Sequence, residues 1–424
     1  MNATQDPVWR TALSGAQILF VAFGATVLVP LLTGLNPSLA LLGAGVGTLI
    51  FQICTKRQVP IYLGSSFAFI APVIYSVQTW GMNATLGALA AASFFYYVAA
   101  ALVKWRGVGL IHKLLPPVVI GPVVMVIGLG LAQVAVGMAT GKAGDAQVVP
   151  YETAIAIAAI ALLATMLTAI RARGLLKLVP ILVGVAVGYV VSLFVGIVDF
   201  TKVQEAAWIA LPQFGTPEFN LAAILFMIPV AIAPIVEHVG GILAIGSVAG
   251  KDYTESPGLH RTLLGDGLAV NVVGLFGGPP VTTYGEVTGA VMLTKNYNPA
   301  VMTWAACFAI LMAFVGKFGA LLQTIPLPVM GGIMVLLFGS IAGIGLKTLL
   351  DARVNLSSAR NLCIVSVTLV TGIGGLGVTI GSFSLQGISL CGVLAVLLNL
   401  LLPNEPAAHE TPTGSLPDGS AGRS

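Results

Sequence analysis

The sequence predicts an all-α polytopic membrane protein, with fourteen transmembrane segments arranged as a seven-plus-seven inverted repeat, and three observations predict it. The first is composition. Hydrophobic residues fill 57% of the 424 positions and charged residues only 8%, with a mean hydropathy of +1.00. A soluble chain carries about 25% charged residues, and no soluble fold hides so much apolar surface. The second is run length. The apolar stretches are about 20 residues long and do not alternate, which selects helices over a barrel, because in lipid the backbone must satisfy its own hydrogen bonds. The third is the placement of the few cationic residues, which follows from taking the segments in order.

Residues 1–12 lack a signal-peptide pattern and are expected on the cytoplasmic side, so segment 1 (13–33) acts as its own targeting signal. Segment 2 (37–54) ends before Lys56 and Arg57, and segment 3 (60–76) is short and opens with proline, glycine and serine. Segment 4 (84–103) ends at Lys104 and Arg106, and segment 5 (116–137) follows Lys113. Segments 6 (151–170) and 7 (175–197) flank Arg171, Arg173 and Lys177, and segment 8 (221–247) ends before Lys251. Segment 9 (263–278) follows Arg261, and segment 10 (280–294), also short and Pro- and Thr-rich at its start, ends at Lys295. Segments 11 (298–318), 12 (328–348), 13 (360–380) and 14 (384–402) complete the set. With both termini inside, sixteen Lys and Arg residues fall on inner loops and three (Lys142, Lys202, Lys317) on outer ones. That split obeys the positive-inside rule, and a missed segment would invert every downstream loop. Residues 403–424 are rich in Pro, Gly and Ser and are expected to form a disordered cytoplasmic tail. Cys54, Cys307, Cys363 and Cys391 show no metal-ligand spacing and read as small apolar residues. The net charge of +4 suggests no nucleic-acid partner.

An internal repeat is visible. Pro117, Gly121 and Gly128 match Pro328, Gly332 and Gly339 at an offset of 211, and Pro60 in "PIYLGSSF" matches Pro280 in "PVTTYGEV" at an offset of 220. An odd number of segments per half places the halves in opposite orientation. Interrupted segments at corresponding positions of inverted halves point to a transporter's midplane site.

Glu237, Asp266 and Glu286 are the acidic residues well inside the segments. A carboxylate at the bilayer centre costs at least ~2.5 kcal/mol, so such residues bind something, carry protons or hold a partner. Glu237 and Glu286 have no Lys or Arg at comparable depth, and His238, the neighbour of Glu237, points to a different helix face. Asp266 follows Arg261 by five residues near the inner end of its segment, which suits a structural hydrogen bond or ion pair. In "PPVTTYGEV" the prolines and threonines favour extended backbone, Gly285 permits a turn, and helix resumes beyond it. Glu286 then stands at a half-helix N-terminus, where unpaired N–H groups carry partial positive charge. Gly64, Ser65, Ser66 and Phe67 repeat the arrangement in segment 3, and Pro234 should bend the segment that brings Glu237. Carboxylate acceptors, backbone donors and an aromatic face from Phe67 or Tyr284 fit a neutral planar heterocycle such as uracil or a purine. An inorganic anion would be repelled.

The chain resembles the nucleobase–ascorbate transporters, and among them the bacterial uracil permeases. The resemblance covers all but the tail and is carried by "FGATVLVPLLTGLNP" (23–37), "YLGSSFAFIAP" (62–72), "EHVGG" (237–241), "GDGLA" (265–269) and "GGPPVTTYGEVTGAVMLTK" (277–295). The family signature runs Gln, Glu or Pro, then Asn, any residue, Gly, four residues, Thr, and Arg, Lys or Gly. Glu286, Gly289, Thr294 and Lys295 match it, while Val287 replaces the Asn. The resemblance implies core domains formed by segments 1–4 (13–103) and 8–11 (221–320), and gate domains formed by segments 5–7 (104–220) and 12–14 (321–402). It also implies a homodimer in the cell inner membrane and proton-coupled uptake with no cofactor beyond the proton. Carried over by position, it implies substrate carboxylates at Glu237 and Glu286, backbone donors at Phe67 and Gly285, and a small lining residue at Ala25, with Ser66 and Tyr284 beside them. Proton coupling falls to Glu286, Glu237 or His238, because the second His of many uracil permeases is here Gly241. The competing readings are a purine permease and an anion transporter of the same fold. An intramembrane enzyme is disfavoured, because the chain has no intramembrane "HExxH", Gly-Asp acid pair or Ser–His couple.

Overall fold

The computed structural model describes residues 7–380 and 383–403. Each predicted segment contains helix. Among the described residues, seven helical stretches are long and apolar enough to cross a membrane: Val8–Thr33, Pro37–Cys54, Met82–Arg106, Pro117–Ala139, Tyr151–Arg171, Leu221–Ala249 and Leu327–Asp351. Five shorter apolar helices of 10–17 residues stand at segments 3, 7, 11, 13 and 14. The protein is a helical, multi-pass membrane protein.

The packing partners exchange between the two halves. Segment 4 lies on segment 9 as segment 11 lies on segment 2, and segment 1 lies on 11 as 8 lies on 4. Segments 6 and 7 pair as 13 and 14 do, and 12 lies on 6 as 5 lies on 13. Segments 2 and 9, and 5 and 12, cross their own counterparts. Corresponding elements of the two halves thus exchange partners, as an inverted repeat would require. Lipid tails are as apolar as leucine, so close backbone approach replaces hydrophobic drive in holding such helices together. Where segments 5 and 12 cross, a Cβ on Gly345 would lie 2.5 Å from the Gly121 carbonyl oxygen, so the contact exists only between small residues.

The boundaries depart from expectation where polar residues lie inside helices or apolar ones outside them. The first helix starts at Val8, capped by Pro7, and not at residue 13, since Arg10 and Thr11 conceal it from hydropathy. Segment 9 starts at Leu259, hidden by His260 and Arg261, which places Asp266 in mid-helix and not near its inner end. Segment 13 ends at Ile373. Beyond it Gly377–Ile380 pairs antiparallel with Phe383–Gln386 in a hairpin that the apolar run 360–380 concealed, because so short a stretch cannot report its period. A second hairpin, Lys142–Ala143 with Ala146–Gln147, lies in the loop after segment 5. Segment 8 bends at a 3-10 turn, Ile228–Ala231, where Pro234 cannot return a hydrogen bond to Val230 and Pro229 adds a second gap in the ladder. The expected disordered tail, 404–424, lies outside the described residues, as do residues 1–6.

Candidate functional site

Segments 3 and 10 meet through their extended parts. Leu63–Ser65 pairs antiparallel with Val281–Thr283 in the register Leu63↔Thr283, Gly64↔Thr282, Ser65↔Val281. The Ser66 N–H donates to the Pro280 carbonyl at 2.8 Å, and the Tyr284 N–H to that of Tyr62 at 3.1 Å. Neighbouring helices hold the first strand. The Leu63 N–H donates to the Thr48 hydroxyl at 2.9 Å, the Gln52 amide to the Val59 carbonyl at 2.8 Å, and the Ser65 hydroxyl to the Thr26 carbonyl at 2.8 Å. Non-helical backbone at membrane depth persists because protein groups satisfy it in this way.

Helix begins directly after each strand. Phe67 opens the turn Phe67–Phe69, which continues as Ile70–Trp80, and Gly285 opens Gly285–Thr294. The preceding residues, Ser66 and Tyr284, are extended and supply no side-chain cap, so both helix starts present the positive end of the helix dipole. Phe67 and Gly285 are therefore structural counterparts. Strand aligns on strand and cap on cap at an offset of 218, two fewer than alignment on the prolines gives, because backbone pairing rather than residue identity fixes the register.

The helix Ile232–Ala249 packs against the helix Gly285–Thr294 and brings in Glu237. Glu237 and Glu286 are half-buried and Gly285 is exposed. A Cβ on Gly285 or Gly289 would meet nothing within 4 Å, and one on Gly240 only Ile120 at 3.9 Å. The two packed helices thus each carry one carboxylate beside unfilled space at Gly285, Gly289 and Gly240. The Oε2 atom of Glu237 has no hydrogen-bond partner. The charged groups acting on Glu237 are Glu286 and Asp266, both acidic. Among the described residues no ion pair involves either glutamate.

The remaining expected residues divide. The Phe67 ring is 4% exposed and packs edge-on against Phe338 of segment 12, with centroids 6.1 Å apart at 82°. Nothing in the apolar run marks Phe338, so the sequence reading missed it. Ala25 and Ser66 are fully buried, the Ser66 hydroxyl without a partner. Tyr284 departs from its expected role as an aromatic face. Its ring is 2% exposed and lies over Gly64, and its hydroxyl donates to the Ser65 carbonyl at 2.9 Å, so it locks the strand crossing and has no free face for a ligand. His238 is fully buried on the far side of its helix, edge-on to Phe51. Its Nδ1 lies 3.2 Å from Oδ2 of Asp266, without the alignment of a hydrogen bond. The partner of Asp266 is therefore His238, while Arg261 reaches the Cys54 carbonyl instead. At Gly241 a Cβ would lie 2.9 Å from the Thr283 hydroxyl oxygen, so a side chain there requires Thr283 to move. Val287 is fully buried.

The Tyr284 ring leaves no space at Gly64, where a Cβ would overlap its Cζ. Gly64→Ala is expected to destabilise the protein by about 1–3 kcal/mol through overpacking. Tyr284→Phe, which loses one hydrogen bond, should cost about 1 kcal/mol. Melting temperatures of the purified variants check the order, and a neutral Gly64→Ala would show that the crossing is loose.

Comparison with known proteins places this architecture. The chain is 56% identical over 403 residues to the "Probable uracil permease" of Pasteurella multocida, covering 95% of both chains. It is 48% identical over 402 residues to the "Uracil permease" of Bacillus caldolyticus, covering 93% of this chain and 92% of the other. The transmembrane domain of the cyanobacterial bicarbonate transporter BicA superposes with a TM-score of 0.66 at 15% identity, over 93% of this chain and 98% of that one, which shows a shared fold. A family model described as "Permease family" matches residues 10–381. The protein is a membrane transporter, and it belongs to that Permease family, the nucleobase–ascorbate transporters its motifs resemble.

Proposed function

We propose that the protein carries uracil into the cell with protons, by alternating access. The observation that carries this reading is the pair of carboxylates, Glu237 and Glu286, which form no ion pair among the described residues and stand beside unfilled space on two packed helices near two half-helix starts. Carboxylate oxygens accept from the two ring N–H groups of uracil, and the Phe67 and Gly285 N–H groups donate to its carbonyls. The Phe67 ring is the aromatic neighbour. The uracil permease names of the relatives support the same ligand. The fold alone is neutral on substrate, since a bicarbonate transporter shares it. Two uncompensated carboxylates repel an anion and disfavour that alternative. A purine permease uses the same groups in a wider space, so binding to the purified protein decides. Uracil is expected to bind and xanthine to leave it in place, and displacement by xanthine would reassign the protein to purines.

In this reading segments 1–4 and 8–11 form the substrate-bearing core and segments 5–7 and 12–14 the gate, in a homodimer of the inner membrane with both termini cytoplasmic. Cysteine labelling tests the orientation, after Cys54, Cys307 and the exposed Cys363 are replaced. A cysteine in 140–149 should react with an impermeant reagent from outside, and one in 251–257 should not. The opposite result would mean a wrong segment count.

A further inference from the structure

Away from the carboxylates, a cavity of about 430 Å³ opens between the ends of segments 2, 4 and 9. Lys104, His260, Arg261 and Tyr97 supply its polar and aromatic lining, and Ile53 and Leu264 much of its apolar lining. Among the described residues no acidic residue borders it. Lys104 makes no hydrogen bond or ion pair among the described residues, and Arg261 makes a single 3.5 Å contact with the Cys54 carbonyl. Two cations therefore converge on one space without a counter-charge. The helix Leu259–Leu275 starts at this cavity, with His260 and Arg261 in its first turn and no side-chain cap on its N-terminus. The Leu259 N–H is taken by the Thr254 carbonyl, and the positive end of the helix dipole adds a partial positive charge.

The cavity lies at the membrane surface rather than in its depth. Lys104 is in the last turn of Met82–Arg106, beside Trp105, which is 76% exposed, as interfacial tryptophans are. Ile53 at 74% exposure and Leu264 at 39% continue the apolar surface toward the bilayer. Lys56, Arg57 and Arg106 lie within three residues of lining residues in sequence. The sixteen-to-three charge split assigns these ends to the cytoplasmic face.

We propose that this cavity binds a phosphate group, and specifically the phosphate of an anionic lipid of the inner leaflet, with Lys104 and Arg261 on the phosphate oxygens and acyl chains leaving past Ile53 and Leu264. Basic pockets between transmembrane helices on the cytoplasmic side suit such headgroups. A phosphate there ties segment 9, which carries Asp266, to the ends of segments 2 and 4.

The test uses the full-length protein in detergent, titrated with phosphatidylglycerol, phosphatidylcholine or inorganic phosphate, with melting temperature as the readout, which is independent of uracil. Phosphatidylglycerol should raise the melting temperature and phosphatidylcholine should not. Lys104→Gln should raise the half-saturating concentration about fivefold, as expected for one basic residue at an anionic surface, and adding Arg261→Gln should raise it further. Lys104 is exposed and unpartnered, so Lys104→Gln keeps the fold and decides the matter even if the double variant does not fold. A Lys104-dependent response to inorganic phosphate alone, matching that to the lipid, would keep the phosphate site and make its source soluble. A lipid response unchanged in Lys104→Gln, or an equal response to phosphatidylcholine, would overturn the proposal.

Discussion

Glu237→Ala is expected to weaken uracil binding roughly 10- to 150-fold, the effect of losing a charge-assisted hydrogen bond worth about 1.5–3 kcal/mol. Ordinarily a buried carboxylate cannot be removed without harm to the fold, because its partners are left unsatisfied. Here, among the described residues, the Oε2 atom of Glu237 has no partner and no cation pairs with the carboxylate, and its ionisable neighbours, Glu286 and Asp266, are both acidic. Truncation leaves no polar partner unsatisfied and opens toward space already vacant beside Gly240 and Gly289. The variant should therefore express and melt like the parent while losing its ligand. This separation of binding from folding distinguishes a ligand acceptor from a helix-locking group. Equilibrium binding of radiolabelled uracil, alongside a melting curve, measures both. Near-normal binding by a well-folded Glu237→Ala would remove Glu237 from the site.

Local chemistry made the half-helix geometry legible in the sequence. Prolines at 60 and 280 and the β-branched threonines restrict the backbone in a known way, and they placed the extended stretches and the helix starts that the structure contains. What remained hidden depends on partners distant in the chain. The Tyr284 hydroxyl finds its acceptor 219 residues away, so an aromatic in a polar turn was read as a ligand face. The helix-face argument said where His238 does not point, yet only packing shows that it meets Asp266 and Phe51. Phe338 is one apolar residue among many in segment 12, and its edge-on contact with Phe67 has no signature in sequence. Register is the clearest case. The repeat read from prolines was two residues out, because strands align by their hydrogen bonds and not by which residues they carry.

Glu286→Gln is expected to bind uracil more weakly and to exchange it across the membrane, but not to accumulate it. Glutamine keeps the size and one carbonyl acceptor of the carboxylate at the start of Gly285–Thr294, so the ligand retains an acceptor there, although neutral hydrogen bonds are about half as strong as charged ones. Coupling is a different matter. A gradient concentrates substrate only if proton binding and carrier conformation are linked. Gly241 supplies no second histidine and Thr283 lies against it, and His238 faces Asp266 on the opposite side of its helix. Glu286 is the titratable group that stands beside unfilled space at a half-helix end. A proton on it removes one of the two facing charges that the empty carrier would otherwise move through a low-dielectric gate. With glutamine in its place that charge is absent in every state, so reorientation no longer depends on pH. Proteoliposomes separate the two behaviours. The parent should concentrate uracil when the outside is acidic, whereas Glu286→Gln should show counterflow exchange that an imposed pH gradient does not raise above equilibrium. Accumulation by Glu286→Gln under the same gradient would place the proton elsewhere. Glu237 would then be the next residue to test, ahead of His238, because its carboxylate stands beside unfilled space and the imidazole does not.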